Sequence, residues 1–504
     1  MLENDGEMAE AMNAGLEAAD TEFVLPFGSD DIAVPGMVER LLEMSFSTDV
    51  VYPAMRMMDE QMREIVGYHR ADPFCPYRLL DWNYVSGASL VRRSKALEAG
   101  GWRDLRSWED WDLFVRILRA GGRFKPCPEA ELLYRQVPGS RNKLTNDEQH
   151  ELRRRILGDD ADRPMRATFY TGATPATAYV RCQLPALHLP AVVRQGPPAL
   201  ALNEDEDVAV VGQKGRGAIL QFPADAVSAI ASQHLREQGH RLLVEVDDNY
   251  LINPGGKILE RSGWAMKIGE ESAFTRQGHR WIVRHADGVI VTTPWLAARY
   301  EKVNRNVYVC PNGVEPADWP EPPERTDDTI RIAWAASQSH ENDSGLVARA
   351  VRWAASQPNV EVWSVGMNPA MQGKPKYRWR GFPFKALGWV PDLDTYRHLF
   401  HAFDIGLAPV SPGGHGYGRS DLKVLEYAMG GAVTVCSQAP PYEWWQGKPC
   451  LQARDEWEFL ERVKWAVANI DEARAMGTAA RELVLSERTA ERQAVLWRQA
   501  LDED

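Results

Sequence analysis

The densest chemistry on this chain lies in the stretch GGHGYGRSDLKVLEYAMGG, residues 413–431. Glycines such as Gly414 let backbone approach a ligand closely. Ser420 or Asp421 can cap the helix that follows, and the first N–H groups of that helix form an anion site. Arg419 and Lys423 flank the same end, where a guanidinium beside an ammonium suits a diphosphate. The plain alternative, a glycine loop and a capped helix with Lys423–Glu426 as an i,i+3 pair, stays open. A second acidic place is FVLPFGSDDIAVP, residues 23–35, an apolar run entering Asp30 and Asp31. Such oxygens suit a hard divalent cation, or simply a turn before a proline. Glu109 and Asp110 open a helical pattern. They fit either the helix dipole or the task of taking a proton from a hydroxyl. Smaller candidates are His340, in AWAASQSHENDSG; Asp247 and Asp248, at the end of RLLVEV; and Tyr179 and Arg181, in TGATPATAYVRCQLPA. A lone surface histidine is more often solvated than functional, and paired aspartates after a strand often only turn the chain.

The elements that must position these groups follow two rhythms. From residue 7 to 158 the pattern is mixed: a helix over 7–19, a strand over 22–27, a helix opening at Pro35, a strand at TDVVYP, a helix over 109–122 ending in glycines, and a strand at AELLYR. LGDDADRP, residues 157–164, reads as a linker. From Arg166 short apolar strands alternate with helices: ATFY, GAILQF, RLLVEV, GVIVTT and NVYVC, then, after PNGVEP, IRIAWAA, VEVWSVG, DIGLAPV and AVTVC. That alternation predicts βαβ units, parallel sheets and two doubly wound lobes joined near 311–328. Ligands of such lobes sit beyond the carboxyl ends of the strands.

The bulk numbers exclude several classes. At 504 residues the chain exceeds one core, and several domains are expected. A net charge of −13 argues against a broad nucleic-acid surface. The six cysteines form no CxxC, so neither a zinc knuckle nor a disulfide framework is indicated, and a reducing cytoplasm suits them. No apolar run is long enough to span a membrane, and the acidic start lacks the apolar core of a signal peptide.

Residues 5–142 resemble a family 2 glycosyltransferase of the GT-A fold. The resemblance rests on AMNAGLEAADTEFVLPFGSDDIAVPGMVERL and on NYVSGASLVRRSKALEAGGWRDLRSWEDWDLFVRILRAGGRFKPCPEAELLYR. It implies that Gly28-Ser29-Asp30 stands where the family has DxD. Asp30, with Asp31, is then the metal-holding part, the metal being magnesium or manganese, and the first Asp is missing. It further implies that Asp110, beside Glu109, is the catalytic base. The family's first strands, which grip the nucleotide, have no counterpart, so either a partner or an upstream segment is expected to supply them, or the module is a relic serving stability or acceptor binding.

Residues 166–500 resemble a GT-B glycosyltransferase, closest to family 4, most strongly over 240–440. ADGVIVTTPWLAARY, VYVCPNGVEPADW, LGWVPDLDTYRHLFHAFDIGLAPV and GRSDLKVLEYAMGG carry the resemblance. It implies donor binding by Arg419, Ser420, Lys423 and Gly414, by Glu426 on the ribose hydroxyls, and by Asn312 and Gly313 at the interlobe joint. It puts His340 near the phosphates or sugar, and Asp247, Asp248, Tyr179 and Arg181 on the acceptor side. The family's first E-x7-E glutamate falls on Gly418. No metal is required in this fold.

The expected protein is thus α/β: a partial GT-A α/β module (1–158), a GT-B N-terminal acceptor-side lobe (159–312), a C-terminal nucleotide-sugar lobe (313–480), and a terminal helix (481–504) packing back. The expected activity moves a sugar from a nucleotide sugar to a glycan, lipid or protein hydroxyl. One alternative is a two-site enzyme whose first half a partner completes. Another, of a different class, is a non-catalytic glycan- or nucleotide-binding scaffold.

Overall fold

A computed structural model describes residues 8–80, 82–105, 107–137, 144–158, 167–171, 175–195, 217–221, 226–251, 276–323, 328–336, 340, 343–366, 385–390, 392–413 and 416–502. Gly414 and the expected linker residues 159–164 lie outside the described residues. The chain forms two compact units. The first runs to Phe169 and takes in Leu189–Gln195, and the second comprises Tyr170–His188 and the chain from Gly217 onward. The division therefore falls at 169/170, not at 158. Helix Asn146–Leu157 belongs to the first unit, started by a capping box in which the Thr145 hydroxyl accepts from Glu148 N and the Glu148 carboxylate accepts from Thr145 N.

The first unit is built on a mixed sheet. Its strands are β1 (Phe23–Val24), β2 (Ile32–Ala33), β3 (Val50–Met58), β4 (Ile65–His69), β5 (Leu90–Arg92) and β6 (Phe124–Arg135), in the order β1-β5-β3-β6-β2 with β4 on β3. β3 and β6 pair in parallel, and β5, β2 and β4 lie antiparallel to their neighbours. The strand expected over 22–27 pairs only at Phe23–Val24, because Pro26 has no N–H to give a ladder. Helix Glu109–Arg119 buries Trp111, Leu113, Phe114, Val115 and Ile117 in the core that covers this sheet.

The second unit carries two further sheets. After β7 (Ala167–Thr171) and β8 (Ala191–Gln195, grouped with the first unit) come β9 (Gly217–Gln221), β10 (Arg241–Val246), β11 (Gly288–Val291) and β12 (Val307–Val309). β9, β10, β11 and β12 are neighbours in that order and parallel, and Tyr170–Thr171 of β7 borders β9. The last sheet holds β13 (Ile330–Ala335), β14 (Val360–Val365), β15 (Lys385–Leu387), β16 (Ile405–Ala408), β17 (Val433–Ser437) and β18 (Leu451–Ala453). Its order, β15-β14-β13-β16-β17-β18, is all parallel and reverses between β13 and β16. Crevices open at such reversal points, beyond the strand ends. The fold is thus mixed α/β with two Rossmann-like parallel sheets.

The C-terminal helical region is split. Helix Ile470–Glu487 packs on β17 and on helix Leu422–Met429, whereas helix Ala490–Asp502 packs on helix Leu184–Leu187 and β12. The expected boundary at 480/481 falls inside the first of these helices. Between them, Val314 N donates to Arg488 O at 2.9 Å and Ala490 N to Val314 O at 2.7 Å, which ties the two lobe crossings side by side.

Candidate functional site

The reversal between β13 and β16 gathers the charged residues singled out in the sequence. The loop after β13 brings His340 and Asp343; the loop after β16 brings Ser411 and Arg419. Ser411 N donates to Asp343 Oδ1 at 2.8 Å. Arg419 Nη1 donates to His340 Nδ1 at 2.6 Å and also meets Asp343 Oδ2. Burial pushes the His340 imidazole down to about 4, against the pull of Asp343 and with help from Arg419. His340 is therefore neutral near pH 7 and its Nδ1 is an acceptor. Burial would raise Asp343, but its neighbours His340 and Arg419, with the hydrogen bond from Ser411 N, outweigh that and hold it at about 2. His340 and Asp343 act here as a cradle that aims the Arg419 guanidinium.

Helix Leu422–Met429 starts at the same place. Its N-cap residue Asp421 makes no side-chain capping bond. The Asp421 carboxylate is instead held by Arg488, at 2.8 and 3.0 Å, and by Trp445 Nε1 at 3.1 Å. The cap position is therefore filled by a carboxylate turned away, and the first helical N–H groups keep their anion-binding character. One turn on, Lys423 Nζ lies 2.7 Å from Glu426 Oε2 and 2.6 Å from Tyr396 Oη. Tyr396 Oη also donates to Glu426 Oε2 at 3.2 Å, leaving Oε1 without an acceptor role among the described residues. Tyr396 was missed in the sequence. It sits one turn into helix Leu393–Phe400, behind the Asp392 N-cap.

Ser420, Asn312 and Arg181 form a buried relay rather than a ligand-facing row. Asn312 Nδ2 donates to Ser420 Oγ at 2.8 Å, and Arg181 Nη1 donates to Asn312 Oδ1 at 3.0 Å and to Cys310 O at 2.8 Å. Arg181 Nε donates to Glu245 Oε1 at 2.6 Å, and Gln221 Nε2 to Glu245 Oε2 at 2.9 Å. Arg181 and Glu245 are fully enclosed. Arg181 sits in a π-helical turn, Tyr179–Gln183. Tyr179 meets Asp318 and lies under Arg397, whose guanidinium carbon is 4.4 Å from its ring. Both residues thus brace the joint. Gly313 has a packing reason: a Cβ there would stand 2.9 Å from Ala490 N and Cα.

Asp247 and Asp248 directly follow β10. Burial, with Glu245 and Asp248 nearby, pushes Asp247 up to about 8, and Tyr250 Oη donates to it at 3.1 Å. Asp248 lies against Gly418. A Cβ on Gly418 would be 2.7 Å from Asp248 Oδ1 and 2.8 Å from Asn249 N, so the space that a side chain at 418 needs is already filled. A cavity of about 470 Å³ is lined by Trp295, Gln438, Glu443, Gln446 and Gln452 among others, and the Trp295 ring centre lies 6.1 Å from that of Tyr417.

The first unit repeats the motif of a carboxylate over a glycine. At Gly28 a Cβ would lie 2.8 Å from Asp31 Oδ2 and 3.0 Å from Asp30 Oδ1, so the two carboxylates converge there. Burial pushes Asp31 up to about 6, opposed by its hydrogen bond from Arg135 N. Among the described residues no third His, Cys, Asp or Glu joins them as a metal-binding group. Further along, Asp110 accepts from Trp102 Nε1 at 2.8 Å and packs on Gly87, and burial raises its carboxyl. Glu109 beside it is buried. Trp102 is set by Asn13, which donates to Trp102 O at 2.7 Å and accepts from Trp102 N at 2.8 Å. Trp108, directly before the acidic pair, is held at φ 64, a left-handed backbone that tryptophan rarely adopts.

Residues 346–499 match a family model described as Glycosyl transferase-like. No curated protein matches the chain. Among solved structures, the chain is similar to sucrose-phosphate synthase from Thermosynechococcus elongatus, at 16% identity over 60% of this chain and 76% of that one, TM-score 0.44. It is similar to HepE from Anabaena in complex with UDP and glucose, at 12% identity over 68% of this chain and 100% of that one, TM-score 0.46. It is also similar to trehalose-6-phosphate synthase OtsA, at 13% identity over 60% and 75%, TM-score 0.42.

Proposed function

We propose that the second unit is a glycosyltransferase of GT-B type, moving a hexosyl group from a nucleotide sugar to a hydroxyl of a glycan, lipid or protein. The observation that carries this reading is the helix start at Leu422, where a carboxylate turned away from the cap leaves N–H groups beside Arg419 and Lys423 at a strand-order reversal. A leaving diphosphate gains negative charge as the sugar departs. Preorganised N–H groups and two cations offset that charge without a metal. Glu426, with Oε1 available, accepts from the ribose hydroxyls. Asp248, seated over Gly418, supplies from the other lobe the carboxylate that residue 418 cannot. Asp247, carrying its proton up to about 8, is poised to exchange one with an acceptor hydroxyl near neutral pH. The cavity at Trp295 and Gln438 offers that acceptor a ring face and amides. All six cysteines are free, which fits a cytoplasmic setting.

For the first unit the reading is a GT-A-like half whose nucleotide grip comes from a partner or a further segment. Asp30 and Asp31 fit a magnesium or manganese ion, because such ions keep one or two protein carboxylates and complete their shell with water and substrate phosphates. Bound there, the ion would neutralise a diphosphate. Asp110, with its raised carboxyl and the Trp102 hydrogen bond, would hold the proton of the acceptor hydroxyl. A non-catalytic scaffold is the competing reading, and the filled spaces at Gly28 and Gly418 are what favours it.

The test is nucleotide release from a panel of nucleotide sugars. Turnover is expected without metal and is lost in Lys423→Ala and Glu426→Ala. Turnover surviving both changes would remove the proposed site, and nucleotide binding without turnover would favour the scaffold. A metal-dependent fraction abolished by Asp30→Ala would show a working first unit.

A further inference from the structure

Elements from both lobes of the second unit meet at the cavity beside Trp295. Helix Pro294–Tyr300 starts behind Thr293, whose hydroxyl accepts from Leu296 N at 3.3 Å. Leu296, Ala297 and Tyr300 turn into the core, and Trp295 is left half-buried at the cavity. Arg299, one turn on, stacks on the Trp295 ring and donates to Trp295 O at 2.9 Å, which fixes the ring. The turn Pro440–Trp445 supplies another wall. Its Pro441, Tyr442 and Trp445 are buried, and Trp445 Nε1 donates to Asp421 at 3.1 Å, so Glu443 stands out from a rigid frame. The turn Gly416–Gly418 packs on both the helix and this turn, and it leads directly to Arg419.

The lining is polar and almost uncharged. Gln438, Glu443 and Gln446 are exposed, and among the described residues their side chains make no hydrogen bond or ion pair. Gln452 Nε2 donates to Tyr442 O at 3.2 Å, which leaves its side-chain oxygen to accept. An amide both donates and accepts, and a carboxylate only accepts. Neighbouring hydroxyls on a sugar ring match that set, since each of them also donates and accepts. The indole adds an apolar surface for the C–H face of such a ring. Apart from Trp295 the apolar lining is Pro294, Ala439 and Pro440, a thin surface for an acyl chain. Among the described residues Glu443 is the one charged member of the lining, and no cation accompanies it. A phosphate or carboxylate entering here meets a like charge and no counter-ion. At about 470 Å³ the space is of small-molecule size.

We propose that this cavity binds an uncharged saccharide and that Glu443 makes it reject phosphorylated or otherwise anionic sugars. Trp295 holds the ring, and Gln438, Gln446 and Gln452 read its hydroxyls. Rejection by a like charge is a common source of specificity. Among the acceptor classes named for the transfer, this selects a neutral glycan over a lipid or a protein side chain. The use of the cavity as the acceptor place rests on the glycosyltransferase reading; the binding itself does not. Its position suits that use. The Trp295 ring centre lies 6.1 Å from that of Tyr417, which stands two residues before Arg419. Ser437, next to Gln438, accepts from Val410 N at 2.8 Å, on the loop that leads to Ser411.

The experiment is saturation-transfer NMR on the full chain with glucose, N-acetylglucosamine, maltose and lactose, set against glucose 6-phosphate and glucuronate. Signals are expected on the ring protons of a neutral sugar and on neither anionic one. Trp295→Ala should lower affinity for the neutral sugar about tenfold. Gln438→Ala and Gln446→Ala change exposed side chains, so they should weaken binding without unfolding the chain. Glu443→Gln should admit glucose 6-phosphate. Octyl glucoside should be saturated on its ring and not on its alkyl chain. The proposal is overturned if no neutral sugar of the panel binds, or if glucose 6-phosphate binds the unaltered chain as well as glucose does. It is equally overturned if the signal survives Trp295→Ala, Gln438→Ala and Gln446→Ala alike, or if octyl glucoside is held by its chain. Nucleotide release is measured separately. A Trp295-dependent sugar signal in a chain that releases no nucleotide keeps the binding site and removes only its acceptor role. Nucleotide release without any sugar signal removes the site and leaves the transferase reading.

Discussion

Gly28 and Gly418 both lie under a carboxylate, as Gly87 does under Asp110, and the first two are built differently. At Gly28 the closing groups are Asp30 and Asp31, from the same turn, and Asp30 is exposed. At Gly418 they come from β10, in the other lobe of the second unit, and they include a backbone nitrogen as well as a carboxylate. The first arrangement is made of side chains alone, of which Asp31 is held by Arg135 N and Asp30 is exposed. The second is locked, because Asn249 N cannot move without moving the end of β10. Around it Arg419 meets Asp343, Asp421 is held by Arg488, and Lys423 reaches Tyr396 as well as Glu426 one turn on, so three charges have a partner from another element. Preorganisation of this kind, bought with long-range packing, is what an electrostatic site needs, and the local turn lacks it.

The strongest way to break the contrast is Arg488→Met. It leaves Asp421 buried without its cation, and a loss of about 3–5 kcal/mol is expected in denaturant unfolding. A loss under about 1 kcal/mol would mean that Asp421 is held by something else. Next, Gly418→Ala should cost about 1–3 kcal/mol and lower nucleotide release, because the new methyl meets Asn249 N as well as Asp248. Adding Asp248→Ala should not rescue it; full rescue would place the collision on the carboxylate alone.

Acid–base behaviour sharpens the same contrast. Folded His340 stays neutral down to about 4, whereas the unfolded chain takes up that proton from 6.5 downward. The unfolded state then binds more protons, so stability from this residue is lost as pH falls from 6.5 toward 4. Asp31 has the opposite sign. Its carboxyl is pushed up to about 6 from 3.8, so the folded state holds the extra proton, and stability is lost as pH rises across that span. Melting temperatures between pH 4 and 6.5 should therefore respond in opposite senses to His340→Gln and Asp31→Asn. Responses of the same sign would end the comparison. The smallest effect is expected from Gly28→Ala, within about 0.5 kcal/mol, since only side-chain carboxylates stand in the way.

How much of this could be read in advance depends on how far apart the partners are in sequence. Strand–helix alternation from β9 onward was legible because each parallel strand is a short apolar run. Arg419, Lys423 and Glu426 were legible because they lie within one loop and two helical turns. Their fixed orientation was not, since His340, Tyr396 and Arg488 come from other elements. Arg181 and Asn312 were singled out as ligand-facing, and the structure spends them on Glu245, Ser420 and the joint; nothing local distinguishes a buried guanidinium from an exposed one. The helix Asn146–Leu157 was legible and was overlooked: Thr145 followed by Glu148 is a capping box in plain view.

The packing of helix Ala490–Asp502 on the first lobe has a consequence for how the protein folds. Arg498 donates to His188 O across 310 residues of sequence, and Arg241 to Leu501 O across 260. Trp497, almost fully enclosed, lies 4.9 Å from the Arg181 guanidinium carbon. One face of the first lobe, at helix Leu184–Leu187 and β12, is therefore covered only when a segment from beyond the whole β13–β18 lobe arrives. Contacts of such sequence separation slow folding, and they prevent the lobes from maturing one after the other. The two lobes should unfold in a single transition, and a chain cut at the 312/313 joint should yield neither half as a stable domain.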